Sequence, residues 1–341
     1  MQKHQTTIID IARELGISKS TVSRALKDHP DIKTETKEKI RNLAMESGYR
    51  PNMLALSFKQ NRTNIIGILV PDIERPFYAS VISGVQQRAN NQNFFVVIFQ
   101  SKDSYVAELN IIQTMLELRV CGILICHSKE TVEFPHISEL IKKGVPLLLL
   151  DRANEEHEAH KVSTDHFVGG YMIGEHLALQ GYKNIAIIGG PPTLQMSNLR
   201  VDGCIKALKN AGIPVKKNAI RYCYFQRERV LSAANELLDS KNPPDAFFCV
   251  HDRAAIEISK LLEFRNIKVP GDIGLAGFGN EPMSSFIHPS LTTIEQHPTR
   301  LGELAAEIII QEITSETPIK LQNQIISPQL IVRESTVKDN G

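Results

Sequence analysis

The sequence predicts a chain of the α/β class, in which a small all-α head and a short helix precede two doubly wound parallel sheets. Two patterns support this prediction. Residues 6–26 place apolar side chains at helical spacing on both sides of Gly16. From Asn64 onward, short apolar runs of strand length alternate with longer helical stretches. At 341 residues, the chain is long enough for two or three such units.

The head begins with a predicted helix that is followed by a tight turn. The apolar stripe of this helix comprises Ile8, Ile11, Ala12 and Leu15. Thr7 and Asp10 are spaced as in a capping box, in which two side chains satisfy backbone N–H groups at the start of a helix. Gly16 should end this helix, and Ser18 should cap the next one.

The second predicted helix has an apolar face and a basic, polar face. Its inward side chains should be Val22, Ala25 and Leu26, and its outward side chains Lys19, Ser20, Ser23, Arg24 and Lys27. Two short helices joined by a glycine turn, with such an outer face on the second helix, are typical of a helix-turn-helix that binds DNA. The alternative is an amphipathic helical hairpin whose charged face is merely solvated, and the combination of features favours DNA binding.

A third helix and a short linker helix should follow. Thr34 is expected to cap a helix over residues 35–47, which Gly48 ends. Residues 51–63 contain about two helical turns after Pro51, and so short a helix is marginal alone because helix nucleation is unfavourable. The segment should therefore need DNA or a partner helix to persist. A plain linker is the alternative, but the apolar content of the segment favours a functional hinge.

The charge of the chain is unevenly distributed. The net charge is only +1, yet residues 1–62 hold twelve Lys or Arg against seven Asp or Glu. The remaining residues hold 27 basic against 31 acidic side chains. A basic head on a mildly acidic body is consistent with phosphate contacts that are confined to one end of the chain.

The body should form two parallel sheets, each covered by helices on both faces. The predicted strands of the first set span 65–70, 94–99, 122–125 and 146–150. Those of the second set span 185–188, 220–225, 246–250 and 273–278. Alternating strands and helices imply parallel sheets, whose ligands bind beyond the carboxyl ends of the strands. A cleft between the two sets is therefore the predicted ligand pocket.

Several classes of protein are disfavoured. The phosphate-binding patterns GxGxxG and GxxxxGK[ST] and the nucleophile pattern GxSxG are absent, and the spacing of His251, His288 and His297 fits neither catalysis nor metal binding. The five cysteines are scattered without a CxxC pair, as is usual in a reducing cytosol. No apolar run is typical of a signal peptide or a membrane span. We therefore expect a cytoplasmic protein that is not an enzyme and that uses no cofactor or metal.

The helix-turn-helix residues also carry a family resemblance. Asp10-Ile11-Ala12, Gly16 and Ser18-x-x-Thr21-Val22-Ser23-Arg24 closely resemble the N-terminus of the LacI/GalR family, bacterial transcription regulators of the lactose-repressor and purine-repressor type. The body resembles the family over essentially its full length. The matching motifs include Pro71-Asp72-Ile73, Asp151-Arg152, Arg200-x-x-Gly203, His251-Asp252-x-x-Ala255 and Val332-Arg333-x-Ser335.

The resemblance implies a domain plan. The head would span 1–50, the hinge helix 51–63, and an effector-binding and dimerisation domain 64–341. That domain would have the fold of the periplasmic sugar-binding proteins, with three chain crossings between its subdomains. Subdomain one would cover about 64–162 plus 294–325, and subdomain two about 163–293 plus 326–341. Members of the family usually dimerise through the body and bind a pseudo-palindromic operator.

DNA-binding residues are implied by the same resemblance. Lys19 and Ser20 would open the recognition helix in the major groove, and Arg24 would contact DNA, where Arg can pair with guanine. Thr7, Ser18, Thr21, Tyr49 and Asn52 would position the protein on phosphates, and Ser23 and Ala55 are further DNA-binding positions. Phe58 stands where relatives usually present a leucine wedge, and it either unstacks a base step or packs on the body. For the polar positions, the alternative is an ordinary exposed side chain.

For the effector, Arg200 is the leading candidate residue, because a guanidinium can donate to two hydroxyls, a carboxylate or a phosphate. Its alternative is a surface salt bridge. The other candidates are Phe77, Asp151, Phe225, His251, Asp252, Asn280 and Gln296, with core packing as the alternative for Phe225. Many relatives have Gly-Phe-Asp where this chain reads Gly277-Phe278-Gly279-Asn280. Either Asn280 replaces the missing carboxylate, or the ligand differs from a simple hexose.

We therefore expect a homodimeric, ligand-responsive repressor of carbohydrate-utilisation genes that binds double-stranded operator DNA. A sugar or related metabolite in the cleft would favour one orientation of the subdomains and so stabilise or melt the hinge helices. Whether the effector induces or co-represses is open. A solute-binding protein without DNA function is disfavoured by the basic head, and a Rossmann-like enzyme of carbohydrate metabolism by the missing catalytic motifs.

Overall fold

The computed structural model describes residues 6–26, 28–49, 63–152 and 157–338. The chain forms two compact units, residues 1–63 and 64–341. Within the described residues, no helix is both long enough and apolar enough to cross a membrane.

Three helices form the first unit: α1 (Ile8–Glu14), α2 (Lys19–Leu26) and α3 (Thr34–Glu46). The predicted capping box is present, because the Thr7 Oγ1 accepts from the Asp10 N–H while the Asp10 carboxylate accepts from the Thr7 N–H at 2.9 Å. Gly16 has a φ of +65°, which lets the chain reverse between α1 and α2 without the strain that a side chain would bring.

The core of the first unit is small and comes from all three helices. Its fully buried side chains include Ile11, Val22, Ala25 and Ile40. The expectation that Thr34 caps α3 is wrong, because Lys33 is the N-cap residue and no side chain caps this helix. Lys33 is the last residue before α3 whose backbone is not helical, with a ψ of 142°. The helix therefore already includes Thr34.

The second unit alternates strands and helices. Its strands are β1 (Ile65–Val70), β2 (Phe95–Gln100), β3 (Gly122–Ile125), β4 (Leu147–Leu150), β5 (His160–Thr164), β6 (Ile185–Gly189), β7 (Ile220–Tyr222), β8 (Ala246–Cys249), β9 (Gly274–Ala276), β10 (Thr293–Glu295), β11 (Asn323–Ile326) and β12 (Gln329–Ile331). Its helices are α4 (Pro76–Asn90), α5 (Tyr105–Glu117), α6 (Pro135–Lys142), α7 (His166–Leu179), α8 (Gln195–Asn210), α9 (Arg227–Leu238), α10 (Asp252–Phe264), α11 (Met283–Phe286) and α12 (Pro298–Thr314).

The first sheet of this unit has six parallel strands in the order β11–β5–β4–β3–β1–β2. One face packs against α4 and α12, and the other against α5 and α6. Because both faces are covered, the central strands β3 and β4 are buried along their whole length and consist of apolar residues and one glycine.

The second sheet has four parallel strands in the order β7–β6–β8–β9, with α9 and α10 on one face and α7 and α8 on the other. Helices α7 and α8 pack with their backbones in contact. A Cβ on Gly170 would lie 2.0 Å from the carbonyl oxygen of Arg200, and one on Gly203 would lie 2.1 Å from that of Phe167. These glycines therefore fix the position of Arg200 on α8.

The chain passes between the two sheets three times: from β5 to α7, from β10 to α12, and from β11 to β12. Strands β10 and β12 pair with each other in an antiparallel ribbon. The first subdomain is expected to end near residue 162, but Ser163 and Thr164 still pair with β11 in the first sheet. Strand β5 therefore extends two residues beyond the expected boundary.

Candidate functional site

The outer face of α2 is the candidate DNA interface. Ser18, Lys19, Ser20 and Arg24 are exposed, while Thr21 is half-buried. The Ser18 Oγ accepts from the Thr21 N–H at 3.1 Å and lies 2.8 Å from the Thr21 Oγ1, so these two hydroxyls cap the helix, as predicted for Ser18. Ser23 is also half-buried.

Lys19 and Arg24 are the two basic side chains that α2 exposes. Within the described part of the head, the ion pairs join other residues: Arg13 with Asp10, Lys37 and Arg41 with Asp28, and Lys39 with Glu35. No described acid neutralises Lys19 or Arg24. Their charges therefore stay available for phosphate oxygens or base edges.

Of the other predicted DNA contacts, the structure describes Thr7 and Tyr49. Thr7 is exposed and occupied in the capping box of α1, and Tyr49 is half-buried against the core of the head. Asn52, Ala55 and Phe58 lie outside the described residues, as does the hinge segment that contains them. The roles of all these residues remain predictions.

Two cavities among the described residues of the second unit are lined by effector candidates. The first, of about 460 Å³, is lined by Phe77 and Asn280 among others, and we call it the Phe77 cavity. The second, of about 540 Å³, is lined by Asp151 and by residues that follow strands of both sheets, and we call it the Asp151 cavity. Three of the eight effector candidates therefore line a cavity.

Arg200 lies in a buried hydrogen-bond network and not on either cavity wall. Its side chain is almost fully buried and stacks on the ring of Phe278 at 3.8 Å. The Nη1 donates to the carbonyl of Val250 at 2.7 Å, and the Nη2 donates to the Oε1 of Gln296 at 2.9 Å. The Nε and Nη2 both donate to the Nδ1 of His166, at 3.3 and 3.2 Å. Other residues of the chain thus accept from at least four of the five N–H groups of this guanidinium.

The partners of Arg200 determine which nitrogen of His166 carries the proton. A guanidinium only donates, so the Nδ1 of His166 must be bare, and the neutral ring carries its proton on Nε2. That Nε2 lies 3.2 Å from the Oδ1 of Asp151. Burial and the charge of Arg200 both lower the pKa of His166, which keeps the ring neutral.

Arg200 and Asp151 stay charged at the two ends of this network. Burial lowers the pKa of Arg200 to about 10, still well above neutral pH. Burial would raise the pKa of Asp151, but His166 and the charges of Arg200 and Arg152 outweigh that effect and lower it. Arg200 on α8, His166 at the β5–α7 crossing, Gln296 at the β10–α12 crossing and Asp151 after β4 therefore form one chain of contacts between the two sheets.

Phe225 and His251 lie together, away from both cavities. Their rings meet edge to face at 4.8 Å, and the guanidinium of Arg75 lies 5.5 Å from the centre of the Phe225 ring. Phe225 also packs against the second sheet. Core packing is the alternative role that the sequence left open for this residue. The Nδ1 of His251 accepts from the Ala254 N–H at 3.1 Å and so caps α10. Burial lowers the pKa of His251 to about 3.

Asp252 and Asn280 are both saturated by the chain. The buried carboxylate of Asp252 accepts from the hydroxyls of Ser284 and Thr293 and from the Glu281 N–H. The Asn280 Nδ2 donates to Glu295 at 2.7 Å, and its Oδ1 accepts from Arg333 at 2.7 Å. Asp252 therefore holds loops together here, and Asn280 meets the Phe77 cavity with its amide already paired.

Sequence reasoning missed a group of buried polar residues behind and beside the Asp151 cavity. They are Asp103, Glu108, His127, His136 and Arg152. Asp103, His127 and Arg152 each follow a strand of the first sheet within three residues of its end, so the rule that ligands bind at carboxyl ends of strands could have singled them out. Glu108 and His136 sit in the first turns of α5 and α6 and show no such signal.

We expect Arg200→Lys to lower the free energy of unfolding by about 3–5 kcal/mol, because one ammonium cannot reach all the acceptors that the guanidinium satisfies. Urea unfolding of the full chain at pH 7 measures the change. The matched control is Arg265→Lys at the surface pair with Asp239, where less than about 1 kcal/mol should be lost. Equal losses in the two variants would contradict the assigned role of Arg200.

Known proteins resemble this chain along its length. Residues 7–52 match the family model for bacterial regulatory proteins of the lacI family. Residues 63–331 match the model for periplasmic binding proteins and the sugar binding domain of the LacI family. The HTH-type transcriptional repressor PurR of Photobacterium profundum is 30% identical over 98% of this chain and 99% of its own.

Solved structures agree with the fold. The lac repressor dimer bound to operator and the anti-inducer ONPF has a TM-score of 0.88 at 23% identity, over 98% of this chain and all of that one. A LacI family transcriptional regulator from Enterococcus faecium with bound ribose has a TM-score of 0.70 at 27% identity, over 80% of this chain and 98% of that one. The predicted fold class is thus confirmed. The chain belongs to the LacI family, whose relatives are transcriptional regulators and not enzymes.

Proposed function

We propose that this chain is a ligand-responsive repressor that binds a pseudo-palindromic operator as a homodimer in the cytoplasm. The observation that carries the proposal is the outer face of α2, where Lys19 and Arg24 are exposed and no described acid neutralises them. A recognition helix needs such side chains, because phosphate contacts position the protein and base contacts specify the sequence.

The DNA-contacting residues keep the roles that the sequence suggests. Lys19 and Ser20 open α2 and read base edges, and Arg24 pairs with guanine or a phosphate. Thr7, Ser18, Thr21, Tyr49 and Asn52 position the protein on the phosphate backbone, and Ser23 is a further contact. Residues 51–63 form the hinge, in which Ala55 is a further DNA contact and Phe58 acts as the wedge.

The effector binds between the two sheets of the second unit. The two cavities there are large enough for a sugar-sized molecule, and the relative from Enterococcus faecium contains ribose. A sugar or related metabolite is therefore our leading ligand class, and the regulated genes would serve carbohydrate use. Of the candidates, Phe77, Asp151 and Asn280 line the cavities, while Arg200 and Gln296 hold the wall behind them.

The effector acts by linkage between two states. A ligand that binds one relative orientation of the subdomains more tightly shifts the chain toward that orientation. Operator affinity then changes only as far as the ligand distinguishes the two states. The buried contacts of Arg200 join two of the chain crossings. A change in subdomain orientation therefore either keeps all of these contacts or rearranges them together.

The homodimer is supported by an exposed edge strand. Strand β2 lies at the edge of the first sheet and presents Phe95 and Ile98, which are about half exposed. An exposed apolar edge strand is prone to pairing with another chain. A second copy that covers this edge would bury these side chains and bring two heads into one assembly, as two operator half-sites require.

We expect Arg24→Ala to weaken operator binding at least about tenfold, because the substitution removes a side chain that pairs with a base or phosphate. The probe is a duplex selected from a random library by the unaltered protein, and fluorescence anisotropy measures affinity. The matched control is Lys39→Ala, which removes one charge from α3 at a pair with Glu35. Unchanged affinity in Arg24→Ala would refute the assignment of α2 as the recognition helix.

Ile98→Lys should shift the chain from dimer to monomer by placing a charge on the β2 edge. Sedimentation equilibrium over a range of protein concentrations measures the shift. Tyr222→Lys is the matched control, since Tyr222 lies on the edge strand β7 of the second sheet and is as exposed as Ile98, at 41%. A dimer that survives Ile98→Lys, or dissociates equally in Tyr222→Lys, would show that β2 is not the interface.

A further inference from the structure

Glu108 lies at the centre of a buried cluster behind the wall of the Asp151 cavity. Its Oε1 lies 3.1 Å from the Nδ1 of His127 and 2.9 Å from the Nε2 of His136. Its Oε2 accepts from the Ser128 N–H at 2.6 Å and from the Thr131 hydroxyl at 3.0 Å. The side chain of Glu108 is completely buried, and four donors surround its carboxylate.

The surroundings of Glu108 keep it ionised. Burial would raise the pKa of this carboxyl, but the hydrogen bonds from His127 and His136 outweigh burial and hold the pKa well below its usual range. An ionised carboxylate only accepts hydrogen bonds, so each ring nitrogen that faces it must carry the proton. The Nε2 of His127 is buried with no acceptor among the described residues, so a proton there would be unpaired, and the ring that donates from Nδ1 is left bare on Nε2.

A bound cation would require the opposite arrangement. A metal ion held by Glu108, His127 and His136 would take the bare lone pairs of His127 Nδ1 and His136 Nε2 and move the protons to the far nitrogens. Histidines that bind metals almost always donate that far N–H to a partner. Here the far atoms, His127 Nε2 and His136 Nδ1, are buried and have no acceptor among the described residues. A carboxylate that accepts from both rings explains the cluster better.

The tautomer of His127 matters because His127, unlike Glu108, lines the Asp151 cavity. Two buried polar atoms of its lining residues, His127 Nε2 and Arg152 Nε, have no hydrogen-bond partner among the described residues, whereas Asp151 Oδ1 and His166 Nε2 lie 3.2 Å from each other. Burying a polar atom without a partner is unfavourable, so a ligand that opens the cavity and pairs with these two atoms is stabilised by the new hydrogen bonds.

The charges around the cavity oppose an anionic ligand. The charge of Arg152 is already paired with Asp103 through a hydrogen bond of 2.5 Å. With Arg152 and Asp103 paired, the charged residues left on the wall are Asp151, Asp165 and Lys161, which are two acids against one base. A bare nitrogen on His127 adds an acceptor that repels a carboxylate or phosphate and attracts a hydroxyl hydrogen.

We propose that Glu108 is a positioning residue that fixes His127 as a hydrogen-bond acceptor and so selects an uncharged, hydroxyl-bearing ligand for the Asp151 cavity. The ligand class rests on the proposed function of the cleft, whereas the tautomer does not. The ligand donates a hydroxyl hydrogen to the Nε2 of His127 and accepts from the N–H at Arg152 Nε.

The tautomer can be read directly in the full-length protein labelled with 15N-histidine. A long-range 1H–15N spectrum at pH 7.5 distinguishes a protonated from a bare ring nitrogen. The ring of Phe134 lies 4.8 Å from His127 and 5.1 Å from His157, so the His127 signals are assigned by their loss in His127→Asn. We expect Nδ1 to be protonated and Nε2 bare. A proton on Nε2 with Nδ1 bare would overturn the proposal, as would a shift of the Nδ1 signal on addition of Zn²⁺ alone.

A variant tests whether Glu108 causes this state. The amide of Glu108→Gln cannot accept from all four donors, so the His127 signals should change toward the Nε2-protonated form. His288→Gln is the matched control, because His288 is exposed and should leave the His127 signals unchanged. Unchanged signals in folded Glu108→Gln would overturn the positioning role. If that variant fails to fold, the spectrum of the unaltered protein still decides the tautomer.

The ligand class is tested by thermal shift with neutral pentoses and hexoses, each against its phosphate. At least one neutral sugar should raise the Tm by more than its phosphate does, and folded Glu108→Gln should lose that preference. Stabilisation by phosphates alone, or by none of these compounds, would overturn the proposed ligand class. Failure of the unaltered protein to bind an operator duplex would instead refute the proposed function. It would leave the tautomer result unaffected.

Discussion

The buried guanidinium of Arg200 is the interaction on which the second unit most depends. Three elements meet at its fork: the end of β8 through the carbonyl of Val250, the β10–α12 crossing through Gln296, and the β5–α7 crossing through His166. His166 extends the contact to Asp151 after β4. Burying a cation is unfavourable unless its N–H groups are hydrogen-bonded. The hydrogen bonds of Arg200 therefore favour this arrangement of the chain crossings over arrangements that would break them.

This constraint also suggests how a ligand could be sensed. Asp151 belongs both to the Arg200 network and to the wall of the Asp151 cavity, so a ligand that bonds to its carboxylate competes with His166. On the other side of the same cavity, Glu108 fixes the hydrogen-bonding character of His127. Two buried charged groups, Arg200 and Glu108, thus support the cavity wall from behind. A ligand can change the balance between subdomain orientations through either of them.

The sequence predicted the parts of the fold that depend on local pattern. The capping box at Thr7, the turn at Gly16 and the burial of both faces of the parallel sheets all follow from periodicity and turn chemistry. The site was harder, because its contacts join residues far apart in the chain, such as Arg200 and Gln296. Arg200 and Asp252 were expected to face the ligand, yet their polar atoms are already hydrogen-bonded to other residues of the chain. Glu108 was missed because a lone acid at a helix start looks like an ordinary charge near the helix dipole.

The central claim is that Arg200 and Asp151 act as one unit across the two sheets. A double-mutant cycle of Arg200→Lys and Asp151→Asn, measured by urea unfolding at pH 7, tests it most directly. We predict that the two losses are not additive and that the coupling free energy exceeds about 1 kcal/mol. Additivity within about 0.5 kcal/mol would mean that the two charges stabilise the protein independently, and it would contradict this account.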